Sequence, residues 1–92
     1  MENDLWSEIK AEKKRQDSIY GKDRNEGMGY WYCAIMSGTF EVFDAISNNK
    51  RPPHDYRTEM VQVASLAVAA IESYDRQQKY KETKKMTPEL SI

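Results

Sequence analysis

Between Met28 and Asn48 the chain carries apolar side chains on more than one face of a helix, and not one basic residue. Tyr30, Trp31, Tyr32, Cys33, Ala34, Ile35, Met36, Phe40, Val42, Phe43, Ala45 and Ile46 fill the stretch, and Glu41 and Asp44 are its only charges. A helix that is apolar around most of its girth has to be covered on several sides. A chain of 92 residues offers few neighbours to do it, and a core made by three short helices is marginal at this size. The expected fold is therefore all-α: a helical bundle of three main helices per protomer, completed by oligomerisation. A homodimer or tetramer in which the second and third helices form a shared bundle meets the need.

The first helix is expected from about Asp4 to Tyr20. Leu5, Trp6, Ile9, Lys13 (by its methylene stem), Gln16 and Tyr20 recur at three- and four-residue steps, which is an amphipathic stripe. Glu8 and Glu12 precede Lys and Arg partners along the same helix. Gly21 is a C-cap candidate, and residues 22–29 form a charged, glycine-bearing loop. The run Asn48-Asn49-Lys50-Arg51-Pro52-Pro53 ends the second helix, because paired prolines cannot continue it. Asp55 is placed as the N-cap of a third helix reaching about Gln78. Its small residues Ala64, Ser65, Ala67, Ala69 and Ala70 allow close helix approach. This gives a helical domain over 1–79 and a polar, Lys-rich tail over 80–92, where Pro88 is expected to block any further helix.

Composition narrows the function classes. Fourteen basic and fifteen acidic residues leave a net charge of −1, which excludes the broad basic face of a general DNA binder. No apolar run approaches the roughly 20 residues that span a bilayer, so no membrane partner is expected. The acidic opening Met1-Glu2-Asn3-Asp4 lacks the basic n-region of a signal peptide. A single cysteine, Cys33, rules out an internal disulfide and a cysteine zinc cluster, and a cytoplasmic setting is expected. Cys33 reads as a buried small hydrophobe, and the lone histidine, His54, as a surface or capping residue. Any chemistry rests on carboxylates.

Glu41 and Asp44 lie three apart on the second helix, and Glu59 and Gln62 repeat that spacing on the third. Antiparallel helices would let these pairs face each other, as carboxylates on bundle helices do when they hold divalent metals, and Mg²⁺ takes oxygen ligands. The plain alternative is that Glu41 and Asp44 are solvated and Glu59 sits in a first helical turn.

The order Ile9-x-x-Glu12-x-x-Arg15-Gln16, Tyr20-Gly21, Trp31-x-x-Ala34-Ile35, Glu41-Val42-x-x-Ala45 and Arg57-x-Glu59-x-Val61-Gln62-Val63-Ala64 through Ala70-x-Glu72 resembles a phage-associated branch of the MazG-like, all-α nucleoside triphosphate pyrophosphohydrolase superfamily. The resemblance spans roughly Ile9 to Arg76. It implies a Mg²⁺-dependent enzyme that cuts nucleoside triphosphates to monophosphate and pyrophosphate, with a Glu-Glu-x-x-Glu motif on one helix and Glu-x-x-Asp on the next. Carried over, the first motif falls on Ser37, Gly38, Thr39, Phe40 and Glu41, and the second on Glu59, Met60, Val61 and Gln62. Glu41 and Glu59 match, whereas Ser37, Gly38 and Gln62 stand where acids are expected. Asp44 can compensate for one. Metal-assisted phosphoryl cleavage needs ions to neutralise charge on the phosphate and to activate water, so these replacements imply a pocket that fits a nucleotide without cleaving it.

The leading reading is accordingly a catalytically degenerate relative that binds and sequesters a nucleotide, such as a signalling nucleotide of host antiviral defence, with no cofactor required. Its expected binding residues are Lys22, Arg24, Trp31, Ser37, Thr39, Arg57 and Gln62. Arg and Lys hold phosphate directly once metals no longer mediate the contact, and Trp31, with Tyr30, Tyr32 and Phe40, offers stacking surface for a base. Core packing is the plain alternative for the aromatic residues, and a solvated surface for the basic ones. A second reading keeps a working Mg²⁺ pyrophosphohydrolase on Glu41, Asp44 and Glu59. A third is a ligand-free helical module that binds and inhibits a protein.

Overall fold

The computed structural model describes the backbone of residues 2–91 and the side chains of residues 4–82. It is all-α: α1 (Glu2–Tyr20), α2 (Met28–Ser47) and α3 (Tyr56–Ser91), with no strand among the described residues. None of the three is long and apolar enough to cross a membrane. The molecule measures 62 × 28 × 21 Å, and the long axis follows from α3, whose 36 residues span about 54 Å at the α-helical rise.

α3 is the element against which the other two pack. Gly38 of α2 approaches Val63 and Leu66 of α3, Trp31 shares a small cavity with Ala69, and Glu41 and Asp44 share a hollow with Glu59. That reversed order is the antiparallel pairing expected of helices joined by a short connection. α1 lies against another side of α3, where Ser65 Oγ donates to Val61 O at 2.8 Å and sits 3.3 Å from Ile9 O. Ser65 is wholly buried, and a side chain no larger than Ser is what lets the α1 backbone come so close. No Cα of α1 lies within 8 Å of one in α2 among the described residues.

Each helix ends for a local reason. Gly21 takes φ +104° and its N–H donates to Asp17 O at 2.8 Å, so it closes α1 as a left-handed cap. α2 stops at Ser47, before the prolines are reached. Asn49 adopts φ 47°, its N–H donates to Ile46 O, and the Lys50 N–H reaches back to Ala45 O. This is a Schellman cap with Asn in the position usually held by Gly, so the asparagine, and not the cis Pro52–Pro53 pair beyond it, ends the helix. Asp55 caps α3: its carboxylate accepts from Thr58 Oγ1 at 2.6 Å and from the Thr58 and Arg57 N–H groups. These bonds hold the Asp55 carboxyl below its ordinary value, as a cap that favours the ionised form should.

Three expectations need correction. α3 runs past Gln78 through Lys79-Tyr80-Lys81-Glu82, good helix formers without Gly or Pro. The expected tail is therefore helical, and Pro88 does not block it, since the α3 backbone continues through that position to Ser91; the side chains of residues 83–92 lie outside the described residues. The stripe on α1 is only partly internal: Ile9 and Gln16 are buried, but Leu5, Trp6 and Tyr20 are exposed. Cys33 is exposed, not buried, because it falls on the side of α2 turned away from α3.

The interior is small. Among the described residues Ile9, Trp31, Val42, Ala45 and Ala69 are its buried apolar residues, accompanied by Gln16, Glu59, Ser65 and Ser73.

A candidate nucleotide cleft between α1 and α2

Because α1 and α2 each dock on α3 and not on each other, a cleft of about 290 Å³ opens between them. Arg15, Gln16 and Tyr20 line it from α1, Arg24 from the loop, Tyr30, Ala34, Ser37, Gly38 and Glu41 from α2, and Gln62 and Leu66 from α3. The α2 residues recur at i, i+4, i+7, i+8 and i+11, the spacing of one helix face.

The loop that carries Arg24 is fastened from below by α3. Arg76 donates to Arg24 O at 2.7 Å and to Asn25 Oδ1 at 3.0 Å, and Gln77 Nε2 donates to Glu26 O at 2.8 Å. The Arg24 guanidinium carbon lies 4.8 Å from the Trp31 ring centre, 5.4 Å from Tyr20 and 6.0 Å from Tyr30, all within cation–π range. One of its N–H groups donates to Tyr30 Oη at 2.9 Å. A guanidinium carries five donors, and this contact uses one.

Gln16 forms the inner wall. Its Nε2 donates to Glu12 Oε2 at 3.0 Å and reaches Gln62 O at 3.4 Å, which fixes the amide orientation and leaves the buried Oε1 without a partner. Arg15 grips Glu12 with two hydrogen bonds of 2.9 and 2.7 Å, and this guanidinium holds the Glu12 carboxyl below its ordinary value. The positive groups, Arg15 and Arg24, come from α1 and the loop, while Glu41 is the one acid on the lining. A phosphate is attracted to the first two and repelled by the third.

The sequence-predicted residues divide. Arg24, Ser37 and Gln62 meet at this cleft. Trp31 does not: it is 5% exposed and packs beneath Arg24 with its ring edge-on to Tyr30 at 5.3 Å, so it offers no free face for a base. Thr39 turns outward and donates to Met36 O at 2.8 Å. Lys22 is exposed in the loop and borders no described cavity. Arg57 pairs with Glu8 of α1 through bonds of 2.7 and 2.8 Å. The expected role of Glu8 on its own helix is thereby corrected, since its partner is on α3. Arg15, Gln16 and Tyr20 were not singled out as ligand residues, although their i, i+1, i+5 spacing beside the Tyr30-Ala34-Ser37-Glu41 row was the available signal.

The three acids of the Mg²⁺ reading do share one hollow, of about 260 Å³, with Lys50 and His54. Asp44, however, is paired with Lys50 at 2.5 Å, and that ammonium lowers its carboxyl pKa. Glu59 is 5% exposed, with His54 Nδ1 at 3.4 Å from one oxygen and no partner on the other. Among the described residues, no three His, Cys, Asp or Glu side chains stand close enough to hold a metal ion.

Several carboxylates that fasten the fold titrate low: Glu8 beside Arg57, Glu12 beside Arg15, and Asp55 at its cap. A depressed folded-state pKa means the stabilisation is complete at neutral pH and is lost as pH falls through the folded value, below the ordinary 4.5 of a glutamate. Melting temperature is therefore expected to hold from pH 7 to 5 and to drop below pH 4. Glu8→Gln should lower it at pH 7 and flatten that drop. The step is small because exposed pairs contribute little, and an unchanged acid limb in Glu8→Gln would remove the Glu8–Arg57 bond from the account.

Comparison with protein-family models, with curated proteins and with solved structures gave no match to this chain.

Proposed function

We propose that the protein binds a nucleotide in the α1/α2 cleft and holds it without hydrolysis, as a homo-oligomer. The observation that carries the reading is Arg24, fixed by the loop at the rim of the cleft over aromatic rings. That arrangement offers donors to phosphate oxygens and, from Tyr20 and Tyr30, apolar surface to a base. The cleft's volume lies at the lower end for small-molecule sites. Glu41 orients such a ligand, because its charge disfavours phosphate at the α2 side. Spacing and chemistry support binding over turnover: Ser37 and Gly38 border the cleft with no acid between them and Glu41, and Asp44 is neutralised by Lys50.

The test incubates the protein with Mg²⁺ and a panel of nucleoside triphosphates and signalling nucleotides, then chromatographs the filtrate and the material released by heating the retained protein. A nucleotide that leaves the filtrate and returns intact is the expected result. Arg24→Gln is expected to weaken its retention by about ten- to a hundredfold, the worth of one charge-assisted hydrogen bond. A monophosphate product would overturn the reading in favour of hydrolysis on Glu41, Asp44 and Glu59. An unchanged filtrate would overturn it in favour of a protein partner.

A further inference from the structure

Except for Thr39, whose hydroxyl donates to Met36 O, the outer face of α2 is apolar from end to end. Met28, Tyr32, Met36, Phe43 and Ile46 follow one another at helical spacing, with Phe40 beside them, and each is exposed by between 51% and 78%. The two charges of the helix lie elsewhere: Glu41 borders the α1/α2 cleft and Asp44 the hollow next to it. At the N-terminal end the stripe widens into a groove of about 360 Å³ shared with Ala70, Tyr74, Gln77, Gln78 and Lys81 of α3 and with Glu26 of the loop. Side chains of this size each present about 150–250 Å². At the observed exposures the six offer on the order of 700 Å², close to the roughly 800 Å² that each partner contributes to a specific interface. A stable monomer seldom leaves so much apolar surface contiguous.

We infer that this face of α2, with its α3 flank, pairs with the same face of a second copy of the chain across a two-fold axis. The inference rests on the oligomeric part of the reading above and is independent of the nucleotide. Two observations choose the occupant. Among the described residues the protomer's own interior holds five buried apolar residues, and the fully buried side chains there are Ser65 and Ser73. Such a core leaves folding dependent on covering the stripe, and the partner present wherever this chain folds is another copy. The stripe is also self-complementary. The α2 stripe itself carries no charged side chain, and Glu26 and Lys81, which line the groove at its N-terminal end, are of opposite sign. Reversing the order of its members about the midpoint between Met36 and Thr39 sets Tyr32 against the partner's Phe43 and Met36 against the partner's Thr39, and brings Met28 within one residue of the partner's Ile46.

Sedimentation equilibrium and melting as a function of concentration test this on the full chain. The expected mass is twice the 10.8 kDa of one chain or an even multiple, with a melting temperature that rises with protein concentration. Phe43→Lys puts a charge into the stripe and should convert the protein to monomer or abolish its helicity. Lys14→Glu, an equally exposed change on α1, should leave the mass alone. A helical monomer whose melting temperature is independent of concentration would overturn the inference and assign the face to a different protein. So would a Phe43→Lys protein that keeps the wild-type mass and melting curve. A monomer that still retains nucleotide would overturn the pairing while leaving the binding reading intact. An oligomer that retains none would do the reverse.

Discussion

Trp31→Ala is expected to unfold the protein. Trp31 is the largest buried side chain among the described residues, 5% exposed, and it joins three parts of the fold. Its face carries the Arg24 guanidinium, its edge meets Tyr30, and it borders the same small cavity as Ala69 of α3. Truncating a buried Trp to Ala costs about 3–5 kcal/mol through lost transfer energy and the cavity left behind, against a total of about 5–15 kcal/mol for ordinary domains. A domain with five buried apolar residues among those described sits at the low end of that range. Trp31→Phe is the informative companion. The indole N–H is buried without a hydrogen-bond partner, and removing an unsatisfied donor regains part of what the smaller ring gives up. Circular dichroism during urea titration should show the Ala variant non-helical or nearly so, and the Phe variant within about 2 kcal/mol of wild type by the same principle. An Ala variant with an unshifted midpoint would mean that Trp31 is not the centre of the core.

Gly38→Leu is expected to be the second most damaging change. A Cβ at Gly38 would stand 3.0 Å from Val63 Cγ2 and 3.5 Å from Leu66 Cδ1, so α2 and α3 touch there with almost no room between them. Leu forces further carbons into that contact at about 1–3 kcal/mol, and it also intrudes on the cleft that Gly38 borders. Gly38→Ala separates the two effects. Its single methyl asks the Val63 side chain to give by a few tenths of an ångström, while a helical Gly replaced by Ala gains up to about 1 kcal/mol of propensity. The Ala variant should therefore lie close to wild type in urea midpoint. The Leu variant should melt early and fail to retain nucleotide. A Leu variant as stable as the Ala variant would show that the helices are not in contact at this point.

The same glycine shows what was legible in the sequence and what was not. Read as a position where an acid is missing, Gly38 says something about metal binding. In the fold it has a second role, as a place where α2 and α3 are in close contact, and no spacing rule announces that. The helices themselves were plain, because apolar periodicity and the cap residues Gly21 and Asp55 are local signals. The end of α2 was assigned to the wrong residues for a local reason too: Pro52 and Pro53 are conspicuous, whereas Asn49 ends the helix only by entering the left-handed region. Arg24, Ser37 and Gln62 were found at the cleft because they project from ends and faces that the helix pattern fixes. Trp31, Thr39 and Arg57 were not, because their side depends on the angles at which α1 and α2 cross α3. Burial of Trp31, the outward turn of Thr39 and the capture of Arg57 by Glu8 are all long-range outcomes.

Among the described residues no Cα of α1 comes within 8 Å of one in α2, so the mouth of the cleft is a hinge with no backbone latch, spanned by the single side chain of Arg24 between Tyr20 and Tyr30. Its width is set by two separate dockings, one across Ser65 and one across Gly38, so either helix can swing without breaking the other's seat. A ligand that reaches from Arg15 to Tyr30 supplies the missing strut. It would tie the α1 docking to that of α2, and amides in the two helices that exchange independently in the free protein would then exchange together.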